Sequence, residues 1–158
     1  MTENTDLQPT LRRYMRLFLL GGGALVGVLI LMQFARFVIP EFKLDNPPVT
    51  HTVNWDSPET ERLWNIACAD CHSNETVYPW YSYVAPLGWL VAHDTHEGRS
   101  EMNISENHRI ELREMIEVIS EGEMPPAIYT VIHGNANLSD ADKQALIAGL
   151  RATFSTNG

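Results

Sequence analysis

The chain has 158 residues, enough for one ordinary domain plus a small additional element, and this length excludes two large domains. With 44% hydrophobic and 20% charged residues, its composition is that of a folded protein and excludes bulk disorder. The net charge is −9, and residues 41–158 alone hold 18 acidic and 7 basic side chains, a net charge of −11. Nucleic acid binds through Lys and Arg, so we expect no nucleic-acid partner. The acidity favours basic protein partners, or it only keeps the domain soluble.

An apolar run occupies residues 17–39 and has only two polar members, Gln33 and Arg36. As a helix, its 23 residues extend about 35 Å, which exceeds the ~30 Å hydrocarbon core of a bilayer. Arg36 lies one turn from the end, where its side chain can reach the membrane surface, and Pro40 stops the helix. The run therefore predicts a transmembrane helix in contact with membrane lipid.

The residues around the apolar run predict its orientation. Three arginines precede it: Arg12, Arg13 and Arg16. By the positive-inside rule, residues 1–16 form a cytoplasmic tail, and the chain beyond the helix lies on the periplasmic or extracytoplasmic face. The alternative is a cleaved signal peptide, but the run is longer than a usual signal core and no small-x-small site follows it cleanly. We expect an uncleaved, single-pass anchor in the inner (cytoplasmic) membrane.

The rest of the chain predicts an extended tether over residues 40–56, which contain Asn46-Pro47-Pro48, and an all-α domain over 57–158. Three helices are predicted in this domain, at 58–69, 106–121 and 140–154.

Local signals support these helices. Ser57 is an N-cap for the first, and Ser139 with Asp142 forms a capping box for the third. Gly149 lies in the middle of the third helix, where glycine costs about 1 kcal/mol relative to alanine. We therefore expect a close crossing between the first and third helices. Residues 73–104 are rich in Pro, Trp and Tyr and predict a loop wrapped around a guest, with one short helix near 87–93.

The most informative stretch is Cys68-Ala69-Asp70-Cys71-His72, which we call the attachment motif. Its two cysteines are the only ones in the chain and are too close together in sequence to form a disulfide framework that stabilises the fold. Two thiols about one helical turn apart can add to the two vinyl groups on one porphyrin edge, and the adjacent imidazole can then bind the iron. In an exported domain the motif predicts one covalently attached haem c.

Three other interpretations of the motif are weaker. A thioredoxin-like redox pair needs a βαβ setting, which the sequence lacks. A zinc site would combine the two cysteines with His93 and His96, but it would leave the aromatic loop without a guest. The third interpretation is a chance match.

Haem iron also takes a sixth ligand or leaves that position open. Met124 follows the second predicted helix and precedes Pro125-Pro126, which would present its thioether rigidly, so we favour Met124. Met102 is the second choice among the methionines, since Met115 lies on the apolar face of a helix and is assigned to the core.

Histidines provide the alternative sixth ligand. His93 and His96 would give bis-histidine ligation, although such residues are more often at the surface. Three others look solvent-facing or loop-bound: His51, His108 and His133. His133 replaces Met124 only if the loop after Pro126 folds back.

Several further segments accompany the attachment motif. They are Ser73-Asn74-Glu75-Thr76, Pro79-Trp80-Tyr81-Ser82, Ala85-Pro86, Trp89-Leu90, Glu97-Gly98-Arg99, Met102-Asn103-Ile104-Ser105 and Gly122-Glu123-Met124-Pro125-Pro126. Together they resemble the haem-binding domain family of small bacterial c-type cytochromes over about residues 55–154. The resemblance implies a cytochrome c-like fold with one haem, bound by Cys68, Cys71 and His72, and Met124 as the distal ligand. Where this chain has His93 and His96, family members often carry other polar residues.

A haem also carries two propionates, which take hydrogen bonds from Arg, Trp or Tyr when buried. The candidates are Arg99, Trp80, Tyr81 and Trp89, and we favour Arg99. The plainer role for the aromatic residues is to form pocket wall and core, above all for Trp89.

We therefore expect a membrane-anchored monohaem c-type cytochrome, not an enzyme, that carries single electrons on the exported face. A neutral thioether ligand would favour Fe(II) and raise the reduction potential relative to bis-histidine ligation. The expected partners are redox proteins, including a respiratory or photosynthetic membrane complex. The alternatives are a haem sensor or peroxidase-like enzyme with a labile sixth ligand, and a structural haem subunit of a larger membrane complex.

Overall fold

The computed structural model describes residues 7–106 and 111–155, and within these all regular secondary structure is helical, which confirms the predicted fold class. The α-helices are α1 Leu7–Val38, α2 Pro58–Ala67, α3 Ala69–His72, α4 Leu87–Glu101, α5 Leu112–Glu121, α6 Ala127–Ile132 and α7 Asp140–Ser155. Short 3₁₀ turns lie at Pro40–Phe42, Trp80–Tyr83 and Gly134–Ala136.

Helix α1 is longer than the predicted anchor, because the arginine-containing segment before the apolar run is also helical. Pro9 falls in its first turn, where the missing amide proton costs no helical hydrogen bond. The part from Pro9 to Val38 is long and apolar enough to cross a membrane, and none of its most apolar window is buried in the protein.

Helices α2 and α7 cross closely, as the mid-helix glycine predicts. A methyl group at Gly149 would overlap the side chain of Thr60 on α2, so only glycine allows this approach. Both predicted caps are present: Ser57 accepts from the Thr60 amide at 3.2 Å, and Ser139 and Asp142 exchange bonds between side chains and backbone amides. The buried core lies between α2, α5 and α7, and comprises Leu63, Trp64, Ala67, Met115, Ile119, Leu138, Leu146 and Leu150.

The prediction of a mostly irregular segment at 73–104 is wrong for its second half, which forms the 15-residue helix α4. Its buried residues recur at helical spacing, but they are small or polar: Gly88, Ala92, Thr95 and Arg99. A search for apolar periodicity therefore finds only part of this helix. Helix α6, a further helix, lies within the sequence that we expected to be loop.

The second predicted helix begins later than expected. Residues 104–106 form a turn, and the described helix runs from Leu112 to Glu121 and is capped by Gly122, which adopts the left-handed conformation (φ 79°). His108 and its neighbours at 107–110 lie outside the described residues.

Candidate functional site

The attachment motif forms one tight turn at the end of α2. The helix breaks at Cys68 (φ −130°, ψ −37°), and the short helix α3 follows immediately. The Cys68 carbonyl accepts from the amides of Cys71 at 3.2 Å and His72 at 3.0 Å. Because this turn carries both cysteines and the histidine, one small rigid unit presents two thiols and an imidazole.

The imidazole of His72 is oriented by the backbone. Its Nδ1 lies 3.0 Å from the carbonyl oxygen of Met102, and since a carbonyl only accepts, Nδ1 carries the proton. This leaves Nε2 as the nitrogen that can bind a metal, and a hydrogen bond of this kind fixes the orientation of the ring. The hydrogen bond thus orients His72 with Nε2 free of this contact, and its role as an iron ligand stays a prediction.

A buried polar network holds the Met102 carbonyl in place. The His72 carbonyl accepts from the Ile104 amide at 3.0 Å, which ties the two segments together. Beneath them, Asn103 donates to the Asn74 side chain at 2.8 Å, and the Asn74 amide donates to the Ser105 hydroxyl at 2.9 Å. The segments of residues 73–76 and 102–105 thus hold the His72 ring in its orientation.

Helix α4 packs directly on the motif. A methyl group at Gly98 would lie 2.7 Å from the Cys71 carbonyl oxygen and 2.9 Å from its Cβ, both shorter than a normal contact. Glycine at this position lets the backbone of α4 approach the turn that carries the second thiol.

Helix α6 reaches the middle of the motif through a residue that the sequence analysis missed. The Tyr129 hydroxyl donates to Asp70 Oδ2 at 2.7 Å, between the two cysteines, and Asp70 Oδ1 accepts from the Val77 amide at 3.2 Å. Burial and this hydrogen bond to a carboxylate raise the pKa of Tyr129, so it stays protonated. Nothing in the spacing of Asp70 and Tyr129 pairs them in advance.

Tyr129 connects in turn to a second aromatic residue of the site. Its ring stacks on His133 with centroids 4.2 Å apart, and His133 Nε2 lies 3.1 Å from the Tyr81 hydroxyl. His133 Nδ1 lies 3.3 Å from the Tyr129 carbonyl oxygen. Both nitrogens of His133 are thus within hydrogen-bonding distance of the protein, which disfavours it as a substitute for Met124.

The two cysteines are free and half-buried. Burial, with the neighbouring Cys71 thiol, raises the pKa of Cys68 to about 12. Burial, with the carboxylates of Asp94 and Asp70, raises the pKa of Cys71 to about 11. Both groups are therefore neutral thiols near pH 7, which disfavours spontaneous disulfide exchange, a reaction of thiolates.

Met124 is half-buried in the loop between α5 and α6. Its amide donates to the Val118 carbonyl at 3.1 Å, and its side chain packs against the core to which Cys68 is also adjacent. It lines a cavity of about 150 Å³ together with Pro125, Leu138 and others. Because Tyr129 follows only five residues later and bonds to Asp70, the loop that carries Met124 is tied to the attachment motif.

The other candidate ligands are placed less favourably. The Met102 carbonyl binds Nδ1 of His72, so its backbone lies on the side of the ring away from Nε2. His93 is exposed, with its Nε2 3.4 Å from Glu97, and His96 is half-buried on the same helix. In the described parts of the chain, no group of three or more His, Cys, Asp or Glu side chains is arranged to hold a metal ion, so the zinc interpretation gains no support.

Arg99 is buried, and its guanidinium binds the chain itself. Its Nε donates to the Ser73 carbonyl at 2.8 Å, and Nη1 donates to the Asp45 carbonyl at 2.8 Å. Nη2 donates to Asn46 Oδ1 at 2.7 Å and to Thr76 Oγ1 at 2.8 Å. Arg99 thus joins α4 to the extended segment after α1, and its role toward a propionate stays a prediction.

The predicted aromatic contacts differ in their surroundings. Trp80 is 78% exposed, whereas Tyr81 is half-buried beside His133. Trp89 stacks on Phe42, with ring centroids 4.7 Å apart. The indole nitrogen of Trp64 is buried beside the His72 ring and finds no acceptor among the described residues.

These residues fit a covalently bound haem. The motif offers two thiols and one oriented imidazole nitrogen, and Met124 offers a thioether in a loop bound to the motif. The Trp64 donor next to His72 suits an acceptor that the described residues do not supply, such as a carboxylate of the cofactor.

Comparison with known families agrees with this chemistry. A family model described as a haem-binding domain matches residues 27–152, most of the chain. The chain belongs to this family. No curated protein and no solved structure matches it. The match begins within α1, earlier than the predicted resemblance at about residue 55, so the matched region also covers residues 27–38 of α1 and the segment after them.

The hydrogen bonds of Arg99 predict that it stabilises the fold, and a substitution can distinguish this role from binding a haem propionate. Arg99→Gln should free the segment around Asp45 and Asn46 and destabilise the domain by about 3 kcal/mol, because buried acceptors lose their charged donor. Hydrogen exchange by mass spectrometry should show faster exchange in residues 44–50. The exposed Arg62→Gln is the matched control. Unchanged exchange, with a shift only in a haem signal, would favour the propionate role.

Proposed function

We propose that this protein is a membrane-anchored c-type cytochrome that carries single electrons on the exported face of the membrane. The observation that carries the proposal is the attachment turn, in which two neutral thiols stand beside an imidazole whose Nδ1 proton is held by the Met102 carbonyl. Membership of the haem-binding domain family supports the cofactor.

Cys68 and Cys71 would hold the haem covalently. Each thiol would add its sulfur to one carbon of a vinyl group and its hydrogen to the other, so that one S–H bond and one C=C π bond are replaced by one C–S bond and one C–H bond, without net oxidation. The two thiols come from a single turn and therefore suit the two vinyl groups of one porphyrin. We infer one haem c for the chain.

His72 and Met124 would supply the axial ligands. The Met102 carbonyl keeps the proton on Nδ1, so His72 offers Nε2 in a fixed direction. The Met124 thioether is neutral and soft, and it would favour the ferrous state. When bound, the haem supplies one-electron Fe(III)/Fe(II) chemistry, while the chain orients it and limits its contact with water.

The charge of the domain indicates the kind of redox partner. Residues 41–158 carry a net charge of −11, so a partner with a basic surface would be steered toward them, and salt would weaken the encounter. We infer that this partner is a redox protein, such as a subunit of a respiratory or photosynthetic membrane complex.

One observation favours a second function. Met124 lines a cavity of about 150 Å³, and a small ligand that displaced its sulfur would have space there. A haem sensor or peroxidase-like enzyme would use such a labile position, whereas an electron carrier would keep it filled.

Covalent attachment gives the first test of the proposal. Wild-type protein, made in a host with haem-attachment machinery, should keep its haem stain on a denaturing gel. The double variant Cys68→Ser, Cys71→Ser should lose the stain because both thioethers are absent, while Met124→Ala should keep it. An unstained wild-type band, or a stained double variant, would contradict the assignment.

The sixth ligand gives the second test. Met124→His should stay six-coordinate but lower the reduction potential by on the order of 0.2 V, a fraction of the ~0.8 V that axial ligands control. Met124→Ala should open the site and let carbon monoxide bind ferrous haem quickly, as followed by absorption spectroscopy.

Matched variants decide between the ligands. Met102→Ala and the double variant His93→Ala, His96→Ala should leave the spectrum unchanged. If Met124→Ala keeps the wild-type spectrum and the histidine variant becomes five-coordinate, bis-histidine ligation replaces the proposal. If the wild type already binds carbon monoxide freely, the sensor or enzyme function is correct.

Orientation gives the third test. By the positive-inside rule, the three arginines before the apolar run favour a cytoplasmic position for residues 1–16 and an exported position for the haem domain. An alkaline phosphatase fused after Gly158 should therefore be active. A stable but inactive fusion would contradict this orientation, and a mature protein that lacks residues 1–39 would show a cleaved signal peptide.

A further inference from the structure

The end of helix α1 is bound to the haem-binding domain. Gln33 Oε1 accepts a hydrogen bond from the Ala85 amide at 3.0 Å. The Arg36 guanidinium lies 5.7 Å from the centre of the Tyr83 ring, and Phe42 stacks on Trp89 in a nearly parallel arrangement. Gln33 and Arg36, the two polar residues of the apolar run, therefore both contact the domain.

These contacts fix the height of the domain relative to the helix. Gln33 precedes the end of α1 at Val38 by five residues, which is about 7.5 Å along the helix axis. A segment bonded to Gln33 thus lies level with the last turns of the apolar run, where the acyl chains of a bilayer meet its headgroups.

The surface next to this contact is apolar and uncharged. Exposed side chains cover the 3₁₀ turn after Pro79 and the first turn of α4: Trp80, Tyr83, Val84, Leu87 and Leu90. Leu87 and Leu90 are three residues apart on one helical face and are 53% and 44% exposed. Trp and Tyr are enriched at membrane interfaces, where an apolar ring meets water.

The distribution of charge agrees with this position. Residues 76–92 contain no Asp, Glu, Lys or Arg, although they belong to a domain with a net charge of −11. Anionic headgroups would repel the rest of the domain, but they would not repel this face. Arg36 adds a cation at the same level of α1.

We propose that residues 80–90, with Leu87 and Leu90 as anchors, insert into the headgroup–acyl boundary of the membrane and hold the haem-binding domain against the lipid surface. This inference rests on the membrane anchoring proposed above. Its occupant is phospholipid, because the face is continuous with a helix that is long and apolar enough to cross a membrane and is not buried in the protein. The domain would then keep one orientation toward the bilayer, with this face turned away from soluble partners.

Photo-crosslinking to lipid tests the insertion in the full chain. The holoprotein is reconstituted into vesicles of phosphatidylcholine and phosphatidylglycerol, with p-benzoylphenylalanine in place of Leu87 or Leu90. The same group in place of Ala148, an exposed residue of α7, is the matched control. After illumination, mass spectrometry should find on the order of ten-fold more lipid adduct at Leu87 and Leu90 than at Ala148.

A further position separates this inference from the anchoring itself. Leu25 is exposed near the middle of the apolar run. p-Benzoylphenylalanine in its place should form lipid adducts whenever α1 is in the bilayer. Lipid adducts at position 25 without lipid adducts at positions 87 and 90 would overturn the insertion alone. Adducts of positions 87 and 90 to a second protein chain would overturn it as well. Absence of adducts at Leu25 would overturn the anchoring, and the insertion with it.

Discussion

The domain depends on one short turn, residues 68–72, which carries two thiols and one imidazole close together. Three parts of the chain support the turn. Helix α4 packs on it at Gly98, the segment after α4 provides the Met102 carbonyl for His72, and Tyr129 on α6 binds Asp70 inside the motif. Each contact uses backbone or a hydrogen-bonded side chain, so the chain itself holds the turn in place.

A second set of contacts joins this site to the proposed membrane anchor. The extended segment after α1 is bound by Arg99, and its later part bonds to Ser105, which also supports the residues beneath His72. The predicted tether is extended, but it lies along the domain and does not swing free of it. Together with the Gln33–Ala85 bond, these contacts hold the attachment turn in one orientation relative to helix α1.

The sequence predicted the parts of the fold that depend on local signals. The caps at Ser57 and Ser139, the glycine that permits the α2–α7 crossing and the position of Met115 in the core are all present. The attachment motif identified the cofactor class, which the family match supports.

Contacts between distant parts of the chain were not predictable in this way. Most of α4 escaped detection because it buries Gly88, Ala92, Thr95 and Arg99 in place of large apolar residues. The Tyr129–Asp70 bond joins residues 59 positions apart, and no spacing rule pairs them. Arg99 has the chemistry of a propionate donor, but its bonds to carbonyls and side chains of the chain appear only in three dimensions.

The central claim is that Cys68 and Cys71 carry the haem, and peptide mass spectrometry measures this directly. Trypsin leaves residues 63–99 as one peptide, because no Lys or Arg lies between Arg62 and Arg99, and this peptide contains the whole attachment motif. In protein made with haem-attachment machinery, we predict this peptide with the added mass of one haem and with neither cysteine open to alkylation. The same peptide without haem, and with both cysteines alkylated, would contradict the account.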